Sequence, residues 1–553
     1  MAGVVLETLS TKKLIILITT LFLALISFFL IGGLIAPAPS STIVSIPINC
    51  IDYDHPVPKD KKAFIPRGNH SCAYVENLFD KSVETEKIEA NQIVFSQWLP
   101  LPRDNHQLRM SRWFQSMLTV IQMDVVHNSK NPYPLGKNPK MQLECHLFYR
   151  NAEDDENDWK ELASAVVERR LDCRIDENQK QDGDLYECDL LPFFELGSVH
   201  YDYYLINIRL PVSKRDDEMN KLGTVSGMTF ITIFQNGGFT KVWFSLKTVF
   251  FPLTLSVLIW FWRRILQLSR PTNLLERTLF ALGIILSIMN FPLEWITLLA
   301  NAPFVLLIND IREGAFYAML LSFWLIFAGE HMMDSQERNK LSSYWKHLLA
   351  VIVGCLALLI FDMCERGVQL TNPFYSIWAT TTGTNLALAF IILAGIAACG
   401  YFLFLSYMIF RVFRNISTKT ASLPQMSSVR RKFYSGLIFR FKFLMLTTLL
   451  CAALTVIFFI ISQVSEGQWK WGDDGISLEY SSAFLAGVYG MWNMYVFALL
   501  SLYAPSHKTM GVAVPNILHA ESLDETREEE VQLTQIPSES SALASMITKS
   551  TVD

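Results

Sequence analysis

The chain has 553 residues, 51% hydrophobic and 18% charged, with a formal net charge of −5. Its mean hydropathy is +0.26. That balance belongs to membrane proteins, and it supplies no basic surface for nucleic acid, which is excluded as a partner.

In chain order, residues 1–13 form a short N-terminal segment before an apolar stretch, Leu14–Ala36. A water-soluble insert follows over Pro37–Thr240. Residues 241–504 then hold seven further apolar stretches: Val242–Trp262, Thr278–Ala300, Pro303–Gly329, Leu348–Met363, Leu386–Phe410, Leu437–Val464 and Phe484–Tyr503. A membrane helix needs about 20 mostly apolar residues, so eight spans are expected, the fifth running past Asp362 to Arg366. Residues 505–553 are polar, acidic over Glu521–Glu530 and rich in Ser and Thr at the end, the composition of a disordered tail.

Lys and Arg gather in alternate short loops: Arg263, Arg264, Arg270 and Arg277; then Arg338, Lys340 and Lys346; then Arg411, Arg414, Lys419 and Arg430 to Lys432. By the positive-inside rule these loops face the cytoplasm, together with Lys12 and Lys13. Both termini are then cytoplasmic and the insert is lumenal or extracellular. A cleaved signal peptide is the competing reading of Leu14–Ala36, and it would leave seven helices with an external N-terminus. Against it, the apolar run exceeds the roughly 7–15 residues of such a region, and Pro37 and Pro39 crowd the cleavage position.

Within the insert, Trp113–Val126, Met141–Arg150, Tyr203–Val212 and Thr224–Gln235 alternate apolar and polar residues, the pattern of half-buried strands. Asn151–Asn157 and Asp176–Asp184 read as loops. A two-sheet sandwich is the natural architecture. Five of the nine cysteines lie here, in a compartment that favours pairing. Sequence neighbours suggest Cys50–Cys72 and Cys173–Cys188, leaving Cys145 free, although spacing alone does not fix connectivity. Asn69-His70-Ser71 is a glycosylation sequon on the expected side.

Ionisable groups inside spans are costly and usually functional. Here they concentrate at one depth: Glu294 in the third span, Asp310 and Arg312 in the fourth, and Asp362, Glu365 and Arg366 in the fifth. The aromatic-rich stretch with Asn372, Phe374, Tyr375 and Trp378 accompanies them, and the eighth span adds Tyr489 and Trp492. A polar ring between a sandwich and an aromatic bundle suits an amphiphilic cargo whose acyl tail enters between helices. The bland reading makes these residues interfacial belts and helix packing. Tyr434-Ser435-Gly436-Leu437 has the Tyr-x-x-apolar form that clathrin adaptors read, at the cytoplasmic start of the seventh span. No H-E-x-x-H, G-x-S-x-G, phosphate loop or Cys-x-x-Cys is present, and no histidine lies within a span. Neither catalysis nor a metal or cofactor is expected.

Several long runs resemble the Wntless family, the carriers of lipidated Wnt proteins. They are Gln235–Thr240, Asp310–Arg312, Phe316–Trp324, which contains Tyr317, Gly329–Met332, Phe361–Trp378, Arg440–Met445 and Tyr503–Lys508. The resemblance covers Met1 to about Lys508 and is looser in the insert, where it rests on the cysteine neighbourhoods and Glu195–Val199. It implies an α+β membrane protein: a lumenal β-sandwich of lipocalin or GOLD-like type between the first and second of eight helices, the last seven forming a receptor-like bundle. It further implies binding of palmitoleoylated Wnt in the endoplasmic reticulum and Golgi, escort to the plasma membrane, and return through endosomes with a clathrin adaptor and retromer. The acylated Wnt hairpin would enter the bundle from the lumenal side, among the residues above and membrane lipids. Tyr434 and Leu437 match the position of the family's internalisation signal, and Cys145 departs from its cysteine pattern. The alternative is a seven-helix signalling receptor with an extracellular ligand-binding domain; an acyltransferase fails for want of an intramembrane histidine.

Overall fold

The computed structural model describes residues 4–506 apart from 53–71, 74, 76–87, 103–105, 107, 132–133, 137–138, 157, 176–180, 213–219, 333–338, 421–423, 425–427 and 472–481. Asn69 and the segment after residue 506 lie outside the described residues.

After a helical turn at Val5–Thr8, helix α1 (Thr11–Leu30) runs through a π-helical turn at Ile31–Ile35 into the insert. Eleven strands follow among the described residues. One sheet has the order β1-β11-β4-β9, from Ser40–Ser45, Thr224–Gln235, Met117–Val126 and Leu191–Leu196. The other has the order β2-β3-β10-β5-β6, from Ile48–Ile51, Ile93–Leu99, Tyr203–Arg209, Lys140–Arg150 and Lys160–Arg170. Every pairing is antiparallel. β7 (Cys173–Arg174) and β8 (Glu187–Cys188) form a two-residue ribbon closed by the Cys173–Cys188 disulfide, and Cys50–Cys72 is the second.

Period-two alternation decides the faces. Met141, Leu143, Cys145 and Leu147 of β5 point inward against Met228 and Phe230 of β11 and Phe193 and Phe194 of β9, all in one core. Cys145 is free and fully buried, and burial pushes its thiol well above the usual range.

The insert closes on its own ends. Ser40 of β1 pairs with Gln235, the last residue of β11. Asn236 then donates its N–H to the Pro39 carbonyl at 2.8 Å and caps helix α2 (Gly237–Leu266) by accepting from Gly238 N. A Cβ at Gly238 would lie 2.8 Å from the Pro37 ring, so only glycine allows the entering and leaving chains to pass this closely. A whole domain therefore fits between two spans without spreading them.

The remaining helices are α3 (Leu274–Asn290), α4 (Trp295–Leu299), α5 (Phe304–Glu330), α6 (Trp345–Gln369), α7 (Thr381–Thr420), α8 (Ser428–Trp471) and α9 (Ser482–Leu502). Among the described residues, eight helical segments are long and apolar enough to cross a membrane, taking α3 and α4 as one. The expected third span, Thr278–Ala300, is corrected: it is broken over residues 291–294. Pro292 lacks an N–H and its ring clashes with the preceding turn, so the ladder stops there and restarts at Trp295. The fifth span reaches Gln369, beyond the Arg366 expected, and α7 and α8 outrun their apolar stretches because polar ends continue the same backbone ladder.

α9 is the hub, with nearly every side chain buried. α1 lies against it where Cβ atoms at Gly487 and Gly490 would come within 2.2 and 2.3 Å of the Phe29 and Phe28 rings. Small residues let membrane helices approach in this way. α6 and α7 are the most outward helices, scarcely buried along their apolar windows.

Candidate functional site

The sandwich is bolted to the bundle through the loop after α6. Phe374 of that loop is fully buried in the sandwich core, its ring 5.5 Å from Phe193 and 6.1 Å from Phe194. Arg169 of β6 donates to the carbonyls of Pro192 and Phe374, both at 2.7 Å. Its burial pushes the guanidinium down to about 10. Glu195 N–H reaches the Pro373 carbonyl at 2.9 Å. An ion chain then runs from strand to helices: Glu195 to Arg366 at 2.8 Å, and Arg366 to Asp310 at 2.8 Å. Asn372 accepts from Phe374 N to shape the turn, and Trp378 is buried at the head of α7, where Thr384 bonds its carbonyl. Tyr375 is partly exposed and accepts from Gln369 through its carbonyl. Asp310, Arg366, Asn372, Phe374 and Trp378, expected around a cargo, thus form the joint between the two domains. On α6, Asp362 is exposed and Glu365 is buried.

Deeper in the bundle, the break in the third span creates a second polar group. Glu294 sits in the break, buried, and is shared by two cations, Lys247 of α2 and Arg312 of α5, the latter at 2.9 Å. Arg312 also donates to the Phe291 carbonyl at 2.6 Å and the Ile288 carbonyl at 3.3 Å, groups freed where α3 ends, and to Asn309. Lys247 lies over the Trp243 ring, which packs 5.0 Å from Tyr489. Tyr489 donates to Asn290, and Asn290 donates to Thr254 and Asn493 at 2.9 and 2.6 Å. Trp492 donates to Thr455 and packs against Phe316, Tyr317 and Phe458. The structure therefore brings Glu294, Arg312, Tyr317, Tyr489 and Trp492 together.

Beside this group is Glu313. Past its first residue, α5 exposes only Glu313 and Ala315. Glu313 is accessible although its neighbour Tyr317 packs against the buried Trp492, so it stands at an opening between helices. Tyr317, one turn on, donates its hydroxyl to Glu313 at 3.0 Å. Glu313 lies about two and a half turns below Phe304, or about 14 Å at 1.5 Å per residue. The start of α5 meets the sandwich, where a Cβ at Gly197 would touch the Pro303 carbonyl at 3.0 Å.

Lys247, Glu313 and Asn309 escaped the sequence reading, as did Glu195 and Arg169. Lys247 and Glu313 carried a usable signal, being charges inside expected spans. Glu195 and Arg169 carried none, since charged residues on strands are ordinary. Tyr434 and Leu437 lie inside α8, Leu437 in the bundle core, so an extended peptide reading of that motif requires the helix start to unwind. Among the described residues, no three His, Cys, Asp or Glu side chains converge as a metal site.

Comparison with known proteins agrees with this division of the chain. Residues 48–235 match the family described as "Wntless, GOLD domain" and residues 236–507 match "Wntless-like, transmembrane domain"; the boundary falls at Asn236, the cap of α2. A protein wntless homolog of Gallus gallus is 52% identical over 513 residues, 92% of each chain. The Homo sapiens homolog is 50% identical over the same share, and protein wntless of Drosophila mojavensis is 46% identical over 98% of this chain and 97% of its own.

Proposed function

The chain belongs to the Wntless family, and from that premise we propose that it is a cargo receptor for lipid-modified Wnt. It binds palmitoleoylated Wnt in the secretory pathway, carries it to the cell surface and recycles. The carrying observation is the accessible carboxylate of Glu313, hydrogen-bonded by Tyr317 on a helix that spans the bundle, with the sandwich seated at that helix's outer end. The acyl tail enters there from the sandwich side and is shielded among Phe316, Trp492 and Phe458. Burying it is worth roughly 0.8 kcal/mol per methylene, so the bundle supplies affinity and the sandwich engages the protein surface.

The sandwich faces the lumen, and both termini face the cytoplasm with the Arg-rich loops. Supporting this sidedness, the two described ends meet: Val5 N–H bonds the Ala504 carbonyl at 2.9 Å and Thr8 bonds Ser506 at 2.8 Å. Arg440 holds the Leu6 and Leu9 carbonyls and Arg264 the Pro505 carbonyl at that same end. Movement through endoplasmic reticulum, Golgi, plasma membrane and endosomes would use a clathrin adaptor at Tyr434–Leu437, and retromer for return. The test is capture by this protein of Wnt, wild type or with its acylated serine replaced by alanine. Selective capture of the acylated form is expected; equal capture of both refutes a lipid-dependent carrier.

A further inference from the structure

The ionic group beside this opening is unevenly committed. Glu294 is buried and takes both Lys247 and Arg312 on Oε1, its Oε2 having no hydrogen-bond partner among the described residues, and Arg312, also buried, donates to Asn309 and two main-chain carbonyls. Lys247 interacts with Glu313 only through space, with no ion pair between them among the described residues. Glu313 alone is left facing the opening, with one oxygen engaged by the neutral Tyr317 hydroxyl. A carboxylate offers about four acceptor positions, so most of its capacity points at whatever enters. The apolar walls nearby accept any acyl chain, and a membrane is full of acyl chains. Discrimination must therefore come from what the chain is attached to.

We propose that Glu313 is a specificity-determining subsite, accepting hydrogen bonds from donor groups of an acylated polypeptide and excluding acyl chains that end in an anion. The inference rests on the carrier reading above. An acylated turn of polypeptide carries main-chain N–H groups that lose water as it enters, and each must find an acceptor. N–H to carboxylate bonds are roughly twice as strong as neutral ones. A free fatty acid or an acidic phospholipid instead brings a second negative charge against Glu313 and offers it no donor. Like charges placed together are a standard device for rejecting the wrong ligand.

The experiment uses the full chain in neutral detergent, with two fluorescent probes. One is a synthetic peptide amide acylated on serine with a sixteen-carbon monounsaturated chain; the other is the corresponding free fatty acid. The wild type should prefer the acyl peptide. Glu313→Gln keeps the size and an acceptor for Tyr317 but removes the charge. It should weaken the peptide at least tenfold and strengthen the fatty acid at least tenfold. Glu313→Asp keeps the charge and should keep the wild-type preference, which also controls for folding. A peptide-to-fatty-acid ratio in Glu313→Gln within twofold of wild type would overturn the proposal. Equal wild-type binding of acylated and unacylated peptide would instead refute the carrier reading itself.

Discussion

Phe374→Ala isolates the joint between sandwich and bundle. The ring is fully buried between Phe193 and Phe194, yet its backbone belongs to the loop between α6 and α7. Truncating a buried Phe costs about 3–5 kcal/mol, part transfer and part cavity. The main-chain ties at this point, Arg169 to the Phe374 carbonyl and Glu195 N–H to the Pro373 carbonyl, survive the substitution. They hold the loop in place but no longer have the apolar anchor beneath them. If the ring's share is the lower bound of about 3 kcal/mol, local opening of the loop rises more than a hundredfold, at about 1.4 kcal/mol per factor of ten. Hydrogen exchange read by mass spectrometry over residues 191–196 and 370–378 measures this directly. Exchange at both segments should accelerate about a hundredfold, while α9 peptides stay unchanged. Acceleration under fivefold with the cavity in place would show that the ring is not the anchor.

Two further perturbations address the bundle. Glu294→Ala leaves Lys247 and Arg312 buried without their shared anion, and losing one partner of such a group costs about 3–5 kcal/mol. Thermal unfolding in detergent should show a marked drop in Tm, partly restored by adding Lys247→Met; no drop would mean the group is solvated in the native state. Gly490→Val sets a branched side chain where a Cβ already meets the Phe28 ring at 2.3 Å. Overpacking of about 1–3 kcal/mol or more is expected, read as faster proteolysis at the α1–β1 junction, whereas Gly400→Val, with nothing near its Cβ, should be silent.

Much of the architecture was legible because it is written in patterns that need no partner. Hydropathy marks each span, alternation marks β4, β5, β10 and β11, and neighbouring cysteines suggested both disulfides. The site was only half legible. Glu294 and Arg312 stood out as charges in apolar runs, and the structure joins them. Their third partner, Lys247, is far off in sequence, and the break at Pro292, where the Ile288 and Phe291 carbonyls accept from Arg312, reads as continuous helix in the hydropathy pattern. Phe374 was misplaced for a physical reason: an aromatic loop beside a membrane looks the same whether its ring faces cargo, lipid or a neighbouring domain. Only the register of β9 and the aim of Arg169 select the last.

The sandwich is attached to the bundle at two separated places. In the four-stranded sheet, β1 and β11 lie at one side and β9 at the far edge. With strands about 4.8 Å apart, that width is roughly 14 Å. The β1–β11 side is tied to α1 and α2 through Pro37–Pro39 and Asn236, and the β9 edge to α5 and α6 through Glu195, Arg366 and Asp310. Between these ties, the segment leading into β4 meets α4: Gln115 accepts from Thr297, and Trp113 packs edge-on against Trp295. The sandwich is thus pinned at both edges as a bridge, rather than set down onto the helices. A domain resting freely on an apolar bundle would settle to remove exposed surface. Pinning it at two separated places fixes its height above the start of α5, the helix that carries Glu313.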